Sequence, residues 1–145
     1  MFKYNLLILI VVVSFLSSCK KCDPSNSTSG IIIEKSRVKV LSGHAGQQFI
    51  TDTEQYPGIE MSLDDGKTYT SVDFSKYSVM GLTTTAGCST GYARNVQVND
   101  AAKTVTYTIT LSECPTCKNS VTIDNWVLIK KVPSNYSPIF DIKKK

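Results

Sequence analysis

Thr104-Val105-Thr106-Tyr107-Thr108-Ile109-Thr110-Leu111 decides the fold class. Threonine holds every even position and an apolar or aromatic side chain every odd one. Successive side chains of a strand point to opposite faces, so this run makes one apolar face and one polar, β-branched face. That is an antiparallel strand with one side packed and the other wet. Upstream, Arg94 to Val98 reads as its hairpin partner, with Asn99-Asp100 starting the turn. A turn centred on Asp100 to Lys103 sets Val98 opposite Val105.

Further out, Ser78-Val79-Met80-Gly81-Leu82 reads as a buried strand, introduced by Asp73 to Tyr77. Val121 and Ile123, then Trp126 to Ile129, make the closing strand. Between them, Ala86-Gly87-Cys88-Ser89-Thr90-Gly91 is expected as a loop of small residues. It lacks the Gly-Lys-Ser/Thr ending of a phosphate loop, and no helical pattern follows it. Ile31-Ile32-Ile33 opens the folded part, and Arg37 to Leu41 alternates as a half-buried strand does. Asp64-Asp65-Gly66-Lys67 is a hairpin signal between Ile59–Leu63 and Thr68–Val72, since Asp and Gly tolerate positive φ. It lacks the regular oxygen ligands of a calcium loop. Thr51-Asp52-Thr53-Glu54 has the pattern that caps one helical turn. Pro133 and Pro138 mark an irregular tail with a short edge segment at Ile139-Phe140, ending in a solvated Lys143-Lys144-Lys145. The expected class is mostly β, a β-rich α+β domain with an antiparallel sheet or meander and little helix.

The start of the chain carries a different message. Lys3 precedes a continuous apolar run from Leu6 to Val13, and Leu16-Ser17-Ser18-Cys19 ends it. This is the layout of a secretory signal, with an apolar core short of the roughly 20 residues of a membrane span. The ending resembles the lipobox of bacterial lipoproteins. The resemblance implies diacylglyceryl transfer to Cys19, cleavage just before it, and often acylation of its amine. Two or three acyl chains hold a protein durably where one does not. Lys20 stands where aspartate is the familiar inner-membrane retention signal, which favours the outer membrane. The expected organisation is therefore a signal peptide over 1–18, a lipidated cysteine and disordered tether over 19–30, and a single extracytoplasmic domain over 31–145.

Lys3 is the only charged residue of the first 18, so its removal lowers the formal charge from +4 to +3. That balance is too weak to argue for nucleic acid. His44, the only histidine, lies between Gly43 and Gly46 as a loop residue with no nucleophile motif beside it.

Four further cysteines remain: Cys22, Cys88, Cys114 and Cys117. Export exposes them to an oxidising compartment, which favours disulfides. The hairpin register sets Cys88 opposite position 115, beside Cys114 and near Cys117, so a bond from Cys88 to either is expected, with a local Cys114–Cys117 bond next. Cys114-Pro115-Thr116-Cys117 is also the spacing of a redox pair, but such motifs sit at a helix N-terminus, and no helical pattern follows here. A four-sulfur zinc shell would lack a second closely spaced pair and would have to recruit Cys22 from the tether. No metal or cofactor is expected.

Asp73-Phe74-Ser75-Lys76 with the apolar strand after it, the step Gly91-Tyr92, the alternating Lys103–Leu111 strand, and Val127-Leu128-Ile129-Lys130-Lys131-Val132-Pro133 make a second resemblance. From about Val72 to Val132 the chain resembles the C-terminal domain of protease-complex accessory (PrcB-type) lipoproteins. The resemblance implies an accessory, non-catalytic role and carries no catalytic residue. Cys88, Cys114 and Cys117 are additions to that pattern, and Thr90-Gly91 replaces its double glycine.

The expected function is a non-enzymatic lipoprotein, held to the membrane through Cys19 and bound to another envelope protein. Two alternatives stand beside it: a thiol–disulfide oxidoreductase using Cys114 and Cys117, and a protease inhibitor offering the segment Thr83 to Gly91. Tyr56, Tyr69, Tyr77 and Tyr136 are candidate interface aromatics.

Overall fold

The computed structural model describes residues 24–41, 46–114 and 119–145. Ten strands and no helix occur among them. The strands are β1 (Ser27–Gly30), β2 (Arg37–Val40), β3 (Gln47–Ile50), β4 (Ile59–Ser62), β5 (Thr70–Ser71), β6 (Tyr77–Gly87), β7 (Thr90–Asn99), β8 (Thr104–Glu113), β9 (Ser120–Lys130) and β10 (Ser137–Lys144). They form three sheets, with strand orders β1-β7-β8-β10, β3-β6-β9 and β2-β4-β5.

The mostly-β, antiparallel expectation is met, and the order of pairing adds a feature. β6 pairs with β9 along its whole length, from Tyr77↔Lys130 to Gly87↔Ser120. The β7–β8 hairpin lies between them in sequence and folds over the pair, with Val98 opposite Val105. The central β3-β6-β9 sheet is therefore covered on both faces. Met80, Leu82, Val127 and Ile129 pack with Val96, Val105, Tyr107, Ile109 and Leu111 of the hairpin. Val79 and Leu128, of opposite parity, pack with Ile50, Tyr56, Ile59, Met61 and Val72. This is why β6 is buried without a break from Ser78 to Leu82 while β8 alternates along its length. Gly81 serves the same layer: a Cβ there would overlap the ring of Trp126.

Several boundaries differ from the sequence expectations. The stretch from Ala86 to Gly91 is mostly strand, reversing only through Cys88-Ser89, because its small residues let β6 and β7 run on to the end of the sheet. Thr83 to Gly87 is accordingly paired with β9 and is not an exposed inhibitory loop. Thr51 to Gln55 forms a bend instead of a helical turn. There Asp52 Oδ1 accepts the Gln55 amide at 2.9 Å, and Pro57 leaves no room to propagate a helix. The C-terminal tail is a full strand, β10, running parallel to β8 from Ser137↔Thr104 to Lys144↔Leu111. Its lysines project from the sheet edge, where charge suits an exposed strand.

The expected disordered tether also ends earlier than residue 30. Ser27 to Gly30 is β1, parallel to β7. Its side chains are all exposed, so main-chain hydrogen bonds hold it, not apolar burial. Gly30, at φ +77° and with no room for a Cβ against the Val96 carbonyl, then turns the chain from one sheet to the next. The Ile31 amide donates to Val96 O at 3.0 Å, and Ile31 O accepts the Lys130 amide at 3.1 Å. Ile33 N donates to Leu128 O at 2.9 Å, and Ile32 bridges Ile129 in antiparallel sense. This short crossing stitches β7 to β9.

Candidate functional site

Parity along the strands locates the most unusual side chains. Tyr92, Arg94 and Val96 share one face of β7, and Arg94 stands opposite Ile109, a core residue of β8. Asn125 shares a face of β9 with Ile123 and Val127 and is 2% exposed. A cation and a buried amide thus occupy core-facing positions on two facing strands. Leaving either unsatisfied there would cost on the order of 1–3 kcal/mol, more for the charge.

They satisfy one another. Arg94 donates from Nε and Nη2 to Asn125 Oδ1, at 3.1 and 2.7 Å. Asn125 Nδ2 donates to Thr84 Oγ1 at 2.9 Å and approaches the carbonyls of Leu82 and Ile123. Tyr107 donates its hydroxyl to Asn125 O at 3.2 Å. Burial pushes the Tyr107 phenol above its ordinary value, although the neighbouring guanidinium opposes that shift. The Tyr92 ring lies beneath the guanidinium at 5.4 Å, a cation–π distance.

This network opens at the edge of the sandwich into a groove of about 390 Å³. Ser27 and Thr28 of β1 line it together with Asp124, Asn125 and Trp126 of β9 and with Ile32 and Ile33 of the crossing. Lys35, Arg37 and Asp65 stand around it, and Arg94 lines it. Arg37 is paired with Asp65 at 2.8 Å, and Asp124 accepts a hydrogen bond from Thr83. Among the described residues, neither Lys35 nor Arg94 has a carboxylate within ion-pairing distance. The arrangement is suited to holding an anionic group against a fixed guanidinium.

The residues expected as sites lie elsewhere. Cys88 and Cys114 both lie near the end of the β7–β8 ladder, where the Cys114 amide donates to Ser89 O at 3.0 Å and the Cys88 amide to Asn119 O at 2.9 Å. Both are disulfide-bonded. Cys88 is exposed, while Cys114 is 3% exposed and belongs to the core. Cys19, Cys22, His44 and Cys117 fall outside the described residues. Of the candidate aromatics, Tyr56 is in the core against Trp126, edge to face at 6.0 Å. Tyr136 packs on the other core and donates its hydroxyl to Asp100 at 2.8 Å, and Tyr77 packs against the Tyr56 core. Only Tyr69 is largely exposed, with Lys39 over its ring at 5.7 Å.

Sequence reasoning passed over the groove, although a signal for it existed. Arg94 sits two residues from Tyr92 and from Val96, on the apolar parity of its strand, and Asn125 sits likewise between Ile123 and Val127. A charge and an amide at inward positions require partners, and those partners are the site.

No family model, curated protein or solved structure matches the chain.

Proposed function

We propose that this protein is an extracytoplasmic lipoprotein, anchored through Cys19 to the outer membrane, whose β domain binds another envelope protein without catalysing a reaction on it. The observation that carries the binding role is the groove between β1 and β9, where a preorganised guanidinium faces solvent beside two strand edges. The Leu16-to-Cys19 lipobox supports the address, and the resemblance to protease-complex accessory lipoproteins supports an auxiliary role. The burial of Cys114 supports a structural disulfide over a redox pair, because an attacking thiolate must be accessible.

Cross-linking in intact cells, followed by capture through a C-terminal tag and mass spectrometry, tests this reading. One dominant envelope protein is the expected result. A lipoprotein that stays monomeric and captures no envelope protein overturns it. In parallel, a Cys19→Ser variant should leave the membrane fraction; retention there would remove the anchor from the proposal.

A further inference from the structure

We infer that the groove takes an extended peptide segment of the partner, seated by a carboxylate on Arg94. The inference rests on the accessory reading above and names the chemistry of the segment recognised.

The guanidinium supplies the first half of the argument. Arginine carries five N–H donors. Two go to Asn125 Oδ1, while the group itself lines the groove. Asn125 is locked by its own hydrogen bond to Thr84, so the fork is held in one orientation before any ligand arrives. A planar guanidinium so held matches a carboxylate in a two-point contact. The groove also carries Asp124 on its wall. That negative charge disfavours a dianionic phosphate more than a monoanionic carboxylate, and Lys35 at the rim adds the balancing attraction.

The strand edge supplies the second half. Along β9, the segment Ile31 to Ile33 occupies the outer edge in antiparallel sense at Leu128 to Lys130. That pairing ends as the chain bends at Lys35, whose φ is +57°, into β2, which lies near β9 without pairing to it. Beyond that point the edge over Asp124 to Trp126 lines the groove with no strand of the described residues paired to it. An added strand would continue the alignment that Ile31 to Ile33 begins. It would gain main-chain hydrogen bonds along β9, with side-chain contacts setting its identity.

The test uses the full-length lipoprotein in detergent and three probes: the peptide acetyl-Thr-Val-Thr-Glu-Val-Thr-Ser-amide, the same peptide with glutamine for glutamate, and sodium acetate. Amide and Arg Nε chemical shifts are followed by NMR. The glutamate peptide should shift Arg94 Nε, the Asn125 side-chain amide and the backbone amides of Asp124 to Trp126. The glutamine peptide should bind at least about tenfold more weakly, a difference of about 1.4 kcal/mol. Arg94→Gln should abolish the difference between the two peptides. Should that variant fail to fold, Lys35→Glu, at an exposed rim position, should weaken the glutamate peptide severalfold and leave the glutamine peptide unchanged.

Equal affinity for the two peptides, or shifts confined to other surfaces, would overturn the inference. Saturation of Arg94 by acetate with no peptide response would overturn the peptide and leave a small-acid site. In cells, an Arg94→Gln lipoprotein that still captures the wild-type partner would sink the groove while sparing the accessory reading. Failure of the wild-type protein to capture any partner would sink the accessory reading itself.

Discussion

Strands β6 and β8 are of similar length and lie in facing sheets, yet their sequences obey different rules. β8 alternates strictly because its outer face is wet. β6 is apolar or small on both parities from Ser78 to Leu82 because hairpin β7–β8 covers one face and β2, β4 and the Tyr56 region cover the other. The same opposition holds within β9, where Val127, Leu128 and Ile129 are consecutive and all buried. A continuous apolar run therefore marks the middle layer, and an alternating run marks an outer one.

Mutation can break this contrast at its strongest point. Leu128→Ala, at a site 0% exposed, should cost about 2–5 kcal/mol in urea or thermal unfolding. Thr108→Val on the wet face of β8 should change stability by no more than about 0.5 kcal/mol. Comparable losses at the two sites would show that β6 and β9 are not a covered layer. Gly81→Ala sharpens the same point from the side of excess volume. Its new methyl meets the Trp126 ring, and overpacking of this kind costs about 1–3 kcal/mol. Trp126 is the only tryptophan, so its emission should shift along with the stability.

Asn125→Ala probes the polar exception inside the layer. It removes the acceptor of Arg94 and should destabilise by about 1–3 kcal/mol in thermal or urea unfolding. An unchanged stability would mean that Arg94 finds water as readily as it finds Asn125.

The smallest effect belongs to the outer β4–β5 turn. Asp64 accepts hydrogen bonds from the Lys67 and Thr68 amides and from the Ser62 and Thr68 hydroxyls. The Ser62 hydroxyl leads these contacts in holding its carboxyl down at about 2, from an ordinary 3.8. A carboxyl depressed on folding contributes stability that is fully present above pH 4 and is lost as pH falls through about 2. Asp64→Asn should flatten that acid limb in a pH series of melts and leave the neutral-pH contrast between layers untouched.

How much of this could be read beforehand follows from which force holds each element. The β7–β8 register was legible down to Val98 opposite Val105, because period-two burial and an Asn-Asp turn both specify it. The β4–β5 hairpin was legible from Asp65 and Gly66, which take positive φ in the structure. β1 was not, since Ser27 to Gly30 buries no side chain and is held by main-chain bonds that composition does not display. β10 was obscured by its prolines and lysines, which describe an edge strand as readily as a tail. The groove was hidden differently. Arg94 and Asn125 belong to one site only because β9 returns to β6 and the hairpin folds over both. Their shared parity becomes a contact through topology, not through spacing along the chain.

If the domain is held by its N-terminal end, as proposed, the crossing at Gly30 has a mechanical meaning. A pull directed along β1 meets its hydrogen bonds to β7 lengthwise, so they resist together in shear and do not unzip one by one. Ile31, bonded to Val96 on one sheet and to Lys130 on the other, then divides that force between the two layers. Ser27 to Gly30, none of whose side chains is buried, would thereby act as the strain relief between a leash and the body it holds.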